Sequence, residues 1–461
     1  MDAEASSAGK GRASRDALPG LTRRDFVARA GTALAGASTL GLLGTPAWAA
    51  PRFPGADEFG AEVATTWFDK SLELVKTTPG FSPPVTSRAL AHAGLTLYEA
   101  LVSGMDGFRS LGGTLPGLAA LPDTGRNRAY DWPTVANAAL AAVLRGLFPS
   151  AQSAVVNALE TRLEDSLRPS LPLGVFARSV ERGREVASAV FEWSKSDGGH
   201  EGYLRNFPPY EPPVGPGLWV PTPPGFLPAL QPFWGSNRCL AIAGGADCPP
   251  GDHPPYSEDP GSPFYAEALE VYETVQDLTP EQEVIARFWS DDPGATATPP
   301  GHSISIATQV LRREGASLAR AAEAYAKVGI AVCDAFVACW HQKYRYNLLR
   351  PVTYIRRLLD PAWLSVLVTP PFPEYTSGHS VQSGAAFQVL TDLFGEGYAF
   401  VDHTHDERGF APRSFGSFFE AAEEAAISRL YGGIHFRSAI VNGVTQGKCI
   451  GQAVGALPFR A

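Results

Sequence analysis

Between Asn206 and Pro260 the chain carries fifteen prolines. Each removes a backbone donor and fixes φ near about −65°, so neither an α-helix nor a central strand can persist there. A stiff extended loop laid over the rest of the fold is the economical reading, and it is expected to form the wall of an entrance. Phe207, Trp219, Phe226, Phe233 and Trp234 fall within it. Their burial is expected to tie the loop down, which a free linker between independent domains does not require.

On both sides of this segment apolar residues recur at three and four positions, the period of amphipathic helices. From Gly60 to Lys195 the runs include Trp67, Leu72, Leu74 and Val75, then Leu90, Leu95 and Leu97, then Leu140, Val143, Leu144 and Leu147. With Pro83-Pro84, Pro149, Gly112-Gly113 and Gly198-Gly199 as punctuation, the pattern predicts roughly five helices. Helical periodicity returns from Ser262, and a long run from Ser317 to Lys343 places Tyr325, Val328, Val332, Phe336 and Cys339 on one stripe. Further helices are predicted at Pro351 to Leu359, Ser380 to Phe394, Phe418 to Leu430 and Ser438 to Ala456. In the last, Gly443, Gly447, Gly451 and Gly455 lie four apart, which lets another backbone approach along one face. Alternating strand patterns are scarce, so the fold class is all-α: residues 50–260 form a first bundle with the Pro-rich loop, and residues 261–461 a second.

Residues 1–49 read differently. Thr22-Arg23-Arg24-Asp25-Phe26 precedes a mildly apolar stretch that ends Ala47-Trp48-Ala49, the pattern of a twin-arginine export signal cleaved after Ala49. The expected location is periplasmic or extracellular, by the bacterial twin-arginine route. The whole chain has 38 Lys+Arg against 47 Asp+Glu; the leader takes six and four of these, leaving 32 against 43 and a formal charge of −11. With no long basic run, nucleic acid is not an expected partner. The best later apolar stretch, Val328 to Trp340, is too short to span a bilayer and is broken by Asp334. Of the five cysteines, Cys239 and Cys248 flank a short Gly-containing loop. In an oxidising compartment they are expected to pair, leaving Cys333, Cys339 and Cys449 as buried thiols.

Three segments concentrate cations, histidines and a helix start. In Lys343-Tyr344-Arg345-Tyr346-Asn347-Leu348-Leu349-Arg350-Pro351 two cations sit seven apart, and the residue before proline disfavours α geometry, so Arg350 lies at a bend. In Thr376-Ser377-Gly378-His379-Ser380 a small polar turn precedes a helix and aims free amides outward, an anion cradle. In Ser428-Arg429-Leu430-Tyr431-Gly432-Gly433-Ile434-His435 a helix stops at paired glycines, which puts His435 at a helix–helix corner. Three cations, one amide nest and two histidines suit a compact oxyanion. Each cation within about 4 Å of a unit negative charge contributes on the order of 4 kcal/mol at an effective dielectric near 20, before desolvation.

These segments, occurring in order, resemble the signature shared by vanadium-dependent haloperoxidases and type 2 phosphatidic acid phosphatases. One departure is Thr376, where the family usually has proline. The resemblance implies that vanadate is bound with His435 as its ligand, that Lys343, Arg350, Ser377, Gly378 and Arg429 hold its oxygens, and that His379 is the acid–base residue. Hydrogen peroxide, halide and an organic acceptor are then the small-molecule partners, and a hypohalous species the product. A soluble phosphatase working through a phosphohistidine at His435 is the alternative on the same site. Length and the lack of a spanning helix favour the peroxidases.

Trp340 and Phe372 resemble the aromatic types of the chloroperoxidase branch and are candidates to line the substrate pocket. Asp291 or Asp292, in Trp289-Ser290-Asp291-Asp292-Pro293, resembles the carboxylate that pairs with Arg429, and spacing does not choose between them. Outside this set, His302 reads as a loop histidine with a local hydrogen bond. The run Asp402-His403-Thr404-His405-Asp406 reads as a solvated acidic turn, since residues this close rarely converge on one ion.

Overall fold

The computed structural model describes residues 53–460, apart from residue 123 and residues 125–127. The predicted export leader lies outside the described residues. The described residues form one compact unit.

The first half contains α1 (Glu62–Thr77), α2 (Pro83–Leu101), α3 (Trp132–Leu147), α4 (Ser153–Leu167) and α5 (Leu173–Ser194). These are the five helices expected from periodicity. Pro83 opens α2, as its place in the punctuation predicts, and the Asp131 carboxylate caps α3 by accepting from the Thr134 amide at 2.9 Å. The second half holds α6 (Pro263–Gln276), α7 (Pro280–Phe288), α8 (Thr298–Arg313), α9 (Leu318–Tyr346), α10 (Pro351–Leu358) and α11 (Gly378–Phe394). After a two-stranded antiparallel ribbon, β1 (Phe400–Asp402) with β2 (Arg413–Phe415), come α12 (Phe418–Tyr431) and α13 (Arg437–Gly455).

Helix α9 is the axis of the molecule. It is buried on nearly every face, and α2 from the first half lies against it closely enough that a Cβ on Gly94 would sit 2.3 Å from the Tyr325 carbonyl oxygen. Helix α13 approaches α11 in the same way, as the glycine stripe predicts: a Cβ at Gly447 would lie 2.2 Å from the Val381 carbonyl oxygen. Such backbone proximity holds the helix starts that build the site at fixed spacing. Among the described residues no helix is long and apolar enough to cross a membrane.

The Pro-rich segment contains no α-helix; one short 3₁₀ turn, Trp234–Ser236, interrupts it. Only part of its aromatic set is buried. Trp219 and Trp234 pack inside, whereas Phe207, Phe226 and Phe233 are exposed. Phe226 closes an exposed turn, its amide donating to the Thr222 carbonyl at 2.9 Å, and two tryptophans anchor the loop instead of five aromatics.

The cysteine pairing also differs from expectation. Cys248 is bonded to Cys449 of α13, and Cys239, Cys333 and Cys339 are buried thiols. The reason lies one residue after Cys239. The amides of Leu240, Ala241 and Ile242 all donate to the buried Asp334 carboxylate of α9, at 2.8, 2.7 and 3.1 Å. That clamp presses Cys239 into the core while the chain runs on to bring Cys248 beside α13.

Candidate active site

Ends of α9, α11 and α12 meet at one cavity, and Arg350 before α10 reaches His435 beside it. Lys343 sits in the last turn of α9. Arg350 is the residue preceding α10, in extended geometry with Pro351 at the first helical position, the predicted bend. Ser377 caps α11, its hydroxyl accepting from the Ser380 amide at 3.4 Å. Arg429 lies in the last turn of α12, and Gly433 turns the chain at φ +72°, a conformation that favours glycine, so that His435 falls at the corner before α13. Gly378, His379, Arg429 and His435 all line a cavity of about 640 Å³. The α11 N-terminus, with its unpaired amides and positive dipole end, thus opens on the same space as Arg429 and His435.

The cations are buried and held mainly by carbonyls. Lys343 Nζ donates to the carbonyls of Pro373 at 3.1 Å and Glu374 at 2.9 Å, and to that of Thr376. All three donors are committed, so Lys343 pins the turn before α11 and contributes its charge through space. Arg350 donates from Nε to the Phe372 carbonyl and from Nη1 to the Ile434 carbonyl, both at 2.8 Å, and Nη1 lies 3.2 Å from His435 Nε2. Its Nη2 is buried without a protein partner. Arg429 donates from Nε to the Ser428 hydroxyl at 2.9 Å and from Nη2 to the Ala286 carbonyl at 3.1 Å. His379 Nε2 is likewise buried and unpartnered.

The field of this cluster shows in its titration. Burial lowers Lys343 to about 7 and holds Arg350 and Arg429 near 10. Burial, reinforced by Arg350, Lys343 and Arg429, pushes His435 well below its ordinary value. Burial and Arg429 do the same to His379. Burial raises Glu374 to about 8 against the pull of Arg350 and Lys343. Both shifts favour the neutral forms across the contact of His435 with Glu374, 2.8 Å from Nδ1 to Oε1. An anion placed among these groups would relieve the mutual repulsion of the cations.

Glu374 is the residue that the sequence reading missed. Its signal was a single carboxylate in the otherwise apolar run Phe372-Pro373-Glu374-Tyr375. Trp340 and Phe372, as expected, lie at the cavity, ring centroids 4.8 Å apart, with Lys343 Nζ 5.0 Å and the Arg350 guanidinium 4.9 Å from the Phe372 ring centre.

Three expectations are corrected around Asp291. Neither Asp291 nor Asp292 forms an ion pair with Arg429 among the described residues; both act on it through space, Asp291 the more strongly. The Asp291 oxygens are taken instead by His302 Nδ1 at 2.8 Å and His405 Nε2 at 3.1 Å. His302 is not a loop residue but lies on α8, fully buried, with Nε2 2.7 Å from Asp402. The Asp402-to-Asp406 run is solvated only at His403 and Asp406; Asp402 and His405 point inward because the β1–β2 ribbon folds that end against α8. Asp291, His302 and His405 approach one another closely enough for a metal ion. Both His302 nitrogens, however, face carboxylates that hold the ring cationic, and a cationic imidazole has no lone pair to give.

The VCPO second helical-bundle domain family matches residues 323–458, from α9 to the end of α13. Vanadium chloroperoxidase of Curvularia inaequalis is 23% identical over 503 residues, covering 84% of this chain and 80% of that one. The crystal structure of a holo-type bacterial vanadium-dependent chloroperoxidase shares the fold at 18% identity, with a TM-score of 0.65 over 89% of this chain and 96% of the other. The crystal structure of the first bacterial vanadium-dependent iodoperoxidase aligns with a TM-score of 0.80 at 37% identity, over 87% of this chain and 96% of that one. With that identity over nearly the full length of both chains, two signature segments lining one cavity and Arg350 of the other reaching His435, the chain belongs to the vanadium-dependent haloperoxidases.

Proposed function

We propose that this enzyme holds vanadate at His435 and uses hydrogen peroxide to oxidise halide, iodide most readily. The observation that carries the reading is the pair of buried, unpartnered nitrogens, Arg350 Nη2 and His379 Nε2, beside a cavity shared by Arg429, His435 and the Gly378 backbone. The residues fit the group. A tetrahedral oxyanion needs several hydrogen-bond donors, and one imidazole nitrogen completes its coordination. A Cβ on Gly378 would meet nothing of the protein closer than 3.7 Å, so the missing side chain leaves that volume to a ligand.

In this reading His435 Nε2 is the protein ligand. Arg350, Arg429, the Ser377 hydroxyl and the Gly378 amide donate to the oxygens, and Lys343 supplies charge while fixing the turn. Vanadate, when bound, supplies a Lewis-acid centre that activates peroxide toward halide without changing its own oxidation state. His379, neutral near pH 7 because burial and Arg429 disfavour its charged form, accepts the proton that hydrogen peroxide gives up. It returns one as water departs, so that peroxide, halide and a proton become hypohalous acid and water. The preference for iodide is supported by the 37% identity to the bacterial iodoperoxidase, against 23% to the fungal chloroperoxidase.

Export by the twin-arginine route is part of the proposal. It is supported by Arg23-Arg24 and the Ala47-Trp48-Ala49 ending, and by a disulfide, Cys248 to Cys449, of a kind that persists in oxidising compartments. Initial rates with peroxide and vanadate are expected to fall in the order iodide, bromide, chloride. Hydrolysis of an aryl phosphate without halide oxidation would instead support the phosphatase chemistry.

A further inference from the structure

The ring of His379 is held from behind the cavity. The Trp289 backbone hydrogen-bonds it, and the Trp289 amide is already spent on carbonyls at the end of α7, so the contact is with the Trp289 carbonyl. Nε2 of His379 has no protein partner, which makes Nδ1 the bonded nitrogen. A carbonyl only accepts, so the ring proton sits on Nδ1 and the lone pair on Nε2, toward the cavity. The aim of His379 therefore depends on where the Trp289 carbonyl stands.

That carbonyl opens a turn which does not hold itself. Asp291, two residues on, has φ +49°, in the left-handed region that residues with a side chain rarely adopt. Its carboxylate is gripped from two sides, by His302 Nδ1 at 2.8 Å and His405 Nε2 at 3.1 Å. His302 is tied in turn through Nε2 to Asp402 at 2.7 Å. Its ring also lies face to face with the Trp289 indole, centroids 4.4 Å apart and planes 18° from parallel, while the indole N–H donates to Glu424 of α12 at 2.9 Å. One imidazole on α8 thus holds both ends of the Trp289-to-Asp291 turn. Burying two carboxylates with an imidazole costs free energy that apolar residues of the same volume would not. What the ionic set adds is directional geometry.

We infer that His302 is a positioning residue for His379: by gripping Asp291 and stacking on Trp289 it fixes the carbonyl that aims the His379 lone pair into the cavity. The inference rests on the reading of His379 as the acid–base residue. His302 is absent from the described residues that line the cavity, whereas Asp291 and His379 are among them. Its influence on the reacting groups therefore passes through the turn.

The test reads the ring directly, by nuclear magnetic resonance of the full chain without vanadate, isotopically labelled at the histidine nitrogens. The His379 signals are identified by their loss in His379→Asn. In the wild type at neutral pH a single tautomer, protonated on Nδ1, is expected; the other tautomer, or a mixture, overturns the inference at once. His302→Gln removes both the charge and the ring. His302→Lys, the second variant, keeps a cation between Asp291 and Asp402 to sustain the fold but has no ring to lie on Trp289. In a variant of unchanged helicity His379 should show both tautomers. The kcat for iodide oxidation at saturating vanadate should then fall about tenfold, with half-saturating vanadate within about twofold of wild type. A variant with a lowered melting temperature but an unchanged His379 tautomer and kcat shows a purely structural role and overturns the inference. A wild type with the expected tautomer but no iodide oxidation overturns the halide-oxidation reading instead.

Discussion

Glu374 Oε1 accepts two hydrogen bonds at 2.8 Å, one from His435 Nδ1 and one from the Phe436 amide. The amide fixes that oxygen as an acceptor, so the imidazole proton sits on Nδ1 and the lone pair on Nε2, toward Arg350 and the cavity. Glu374 is a positioning residue. Glu374→Gln keeps an acceptor oxygen in place and is expected to retain vanadate binding within a few-fold, whereas Glu374→Ala should weaken it by about 10- to 100-fold. Vanadate titration followed by iodide oxidation separates the two, since a wholly structural role would lower thermal stability without shifting the half-saturating vanadate concentration.

His302 gives the fold a pH dependence of defined sign. Burial opposes its charge, but Asp291 and Asp402 overcome that and raise it to about 10. A raised folded value means that the stabilisation is complete below the unfolded value near 6.5 and is lost as pH climbs through 10. Melting temperatures measured from pH 6 to 10 should therefore fall across that interval. His302→Gln leaves two buried carboxylates without their cation, should cost about 3–5 kcal/mol at pH 7, and should flatten the alkaline slope.

The Cys248–Cys449 bridge closes a loop of 201 residues in sequence. Reduction is expected to lower stability by about 2–5 kcal/mol, by freeing the unfolded chain. Denaturant midpoints with and without a thiol reductant measure it. Cys239→Ser should leave the oxidised midpoint dependent on the reductant, whereas Cys449→Ser should abolish the difference.

Helix α13 meets α11 at backbone distance. Because a Cβ at Gly447 would lie 2.2 Å from the Val381 carbonyl, Gly447→Ala should destabilise by about 1–3 kcal/mol and move the Ser377 cap. Gly397, where a Cβ meets nothing within 4 Å, is the control. Gly397→Ala should leave both stability and half-saturating vanadate unchanged.

What was legible in the sequence was local. Helices written in three-and-four periodicity, the bend at Arg350-Pro351, the Ser377 cap and the Gly432-Gly433 stop depend on neighbours within a few residues, and all of them formed. Long-range partners were not legible. His302 finds its carboxylates 11 and 100 residues away, and Cys248 its partner 201 away. The clamp of Asp334 on Leu240 to Ile242, which decides the cysteine pairing, joins segments more than 90 residues apart. Lys343 shows a subtler gap: its charge was readable, but not the three carbonyls that occupy its hydrogens.

The most direct test of the account is the vanadium content of His435→Ala after vanadate loading and exhaustive buffer exchange, with helicity checked in parallel. About one vanadium per wild-type chain, and essentially none in a variant of unchanged helicity, is the result predicted. Equal vanadium in both would contradict the assignment of His435 as the ligand.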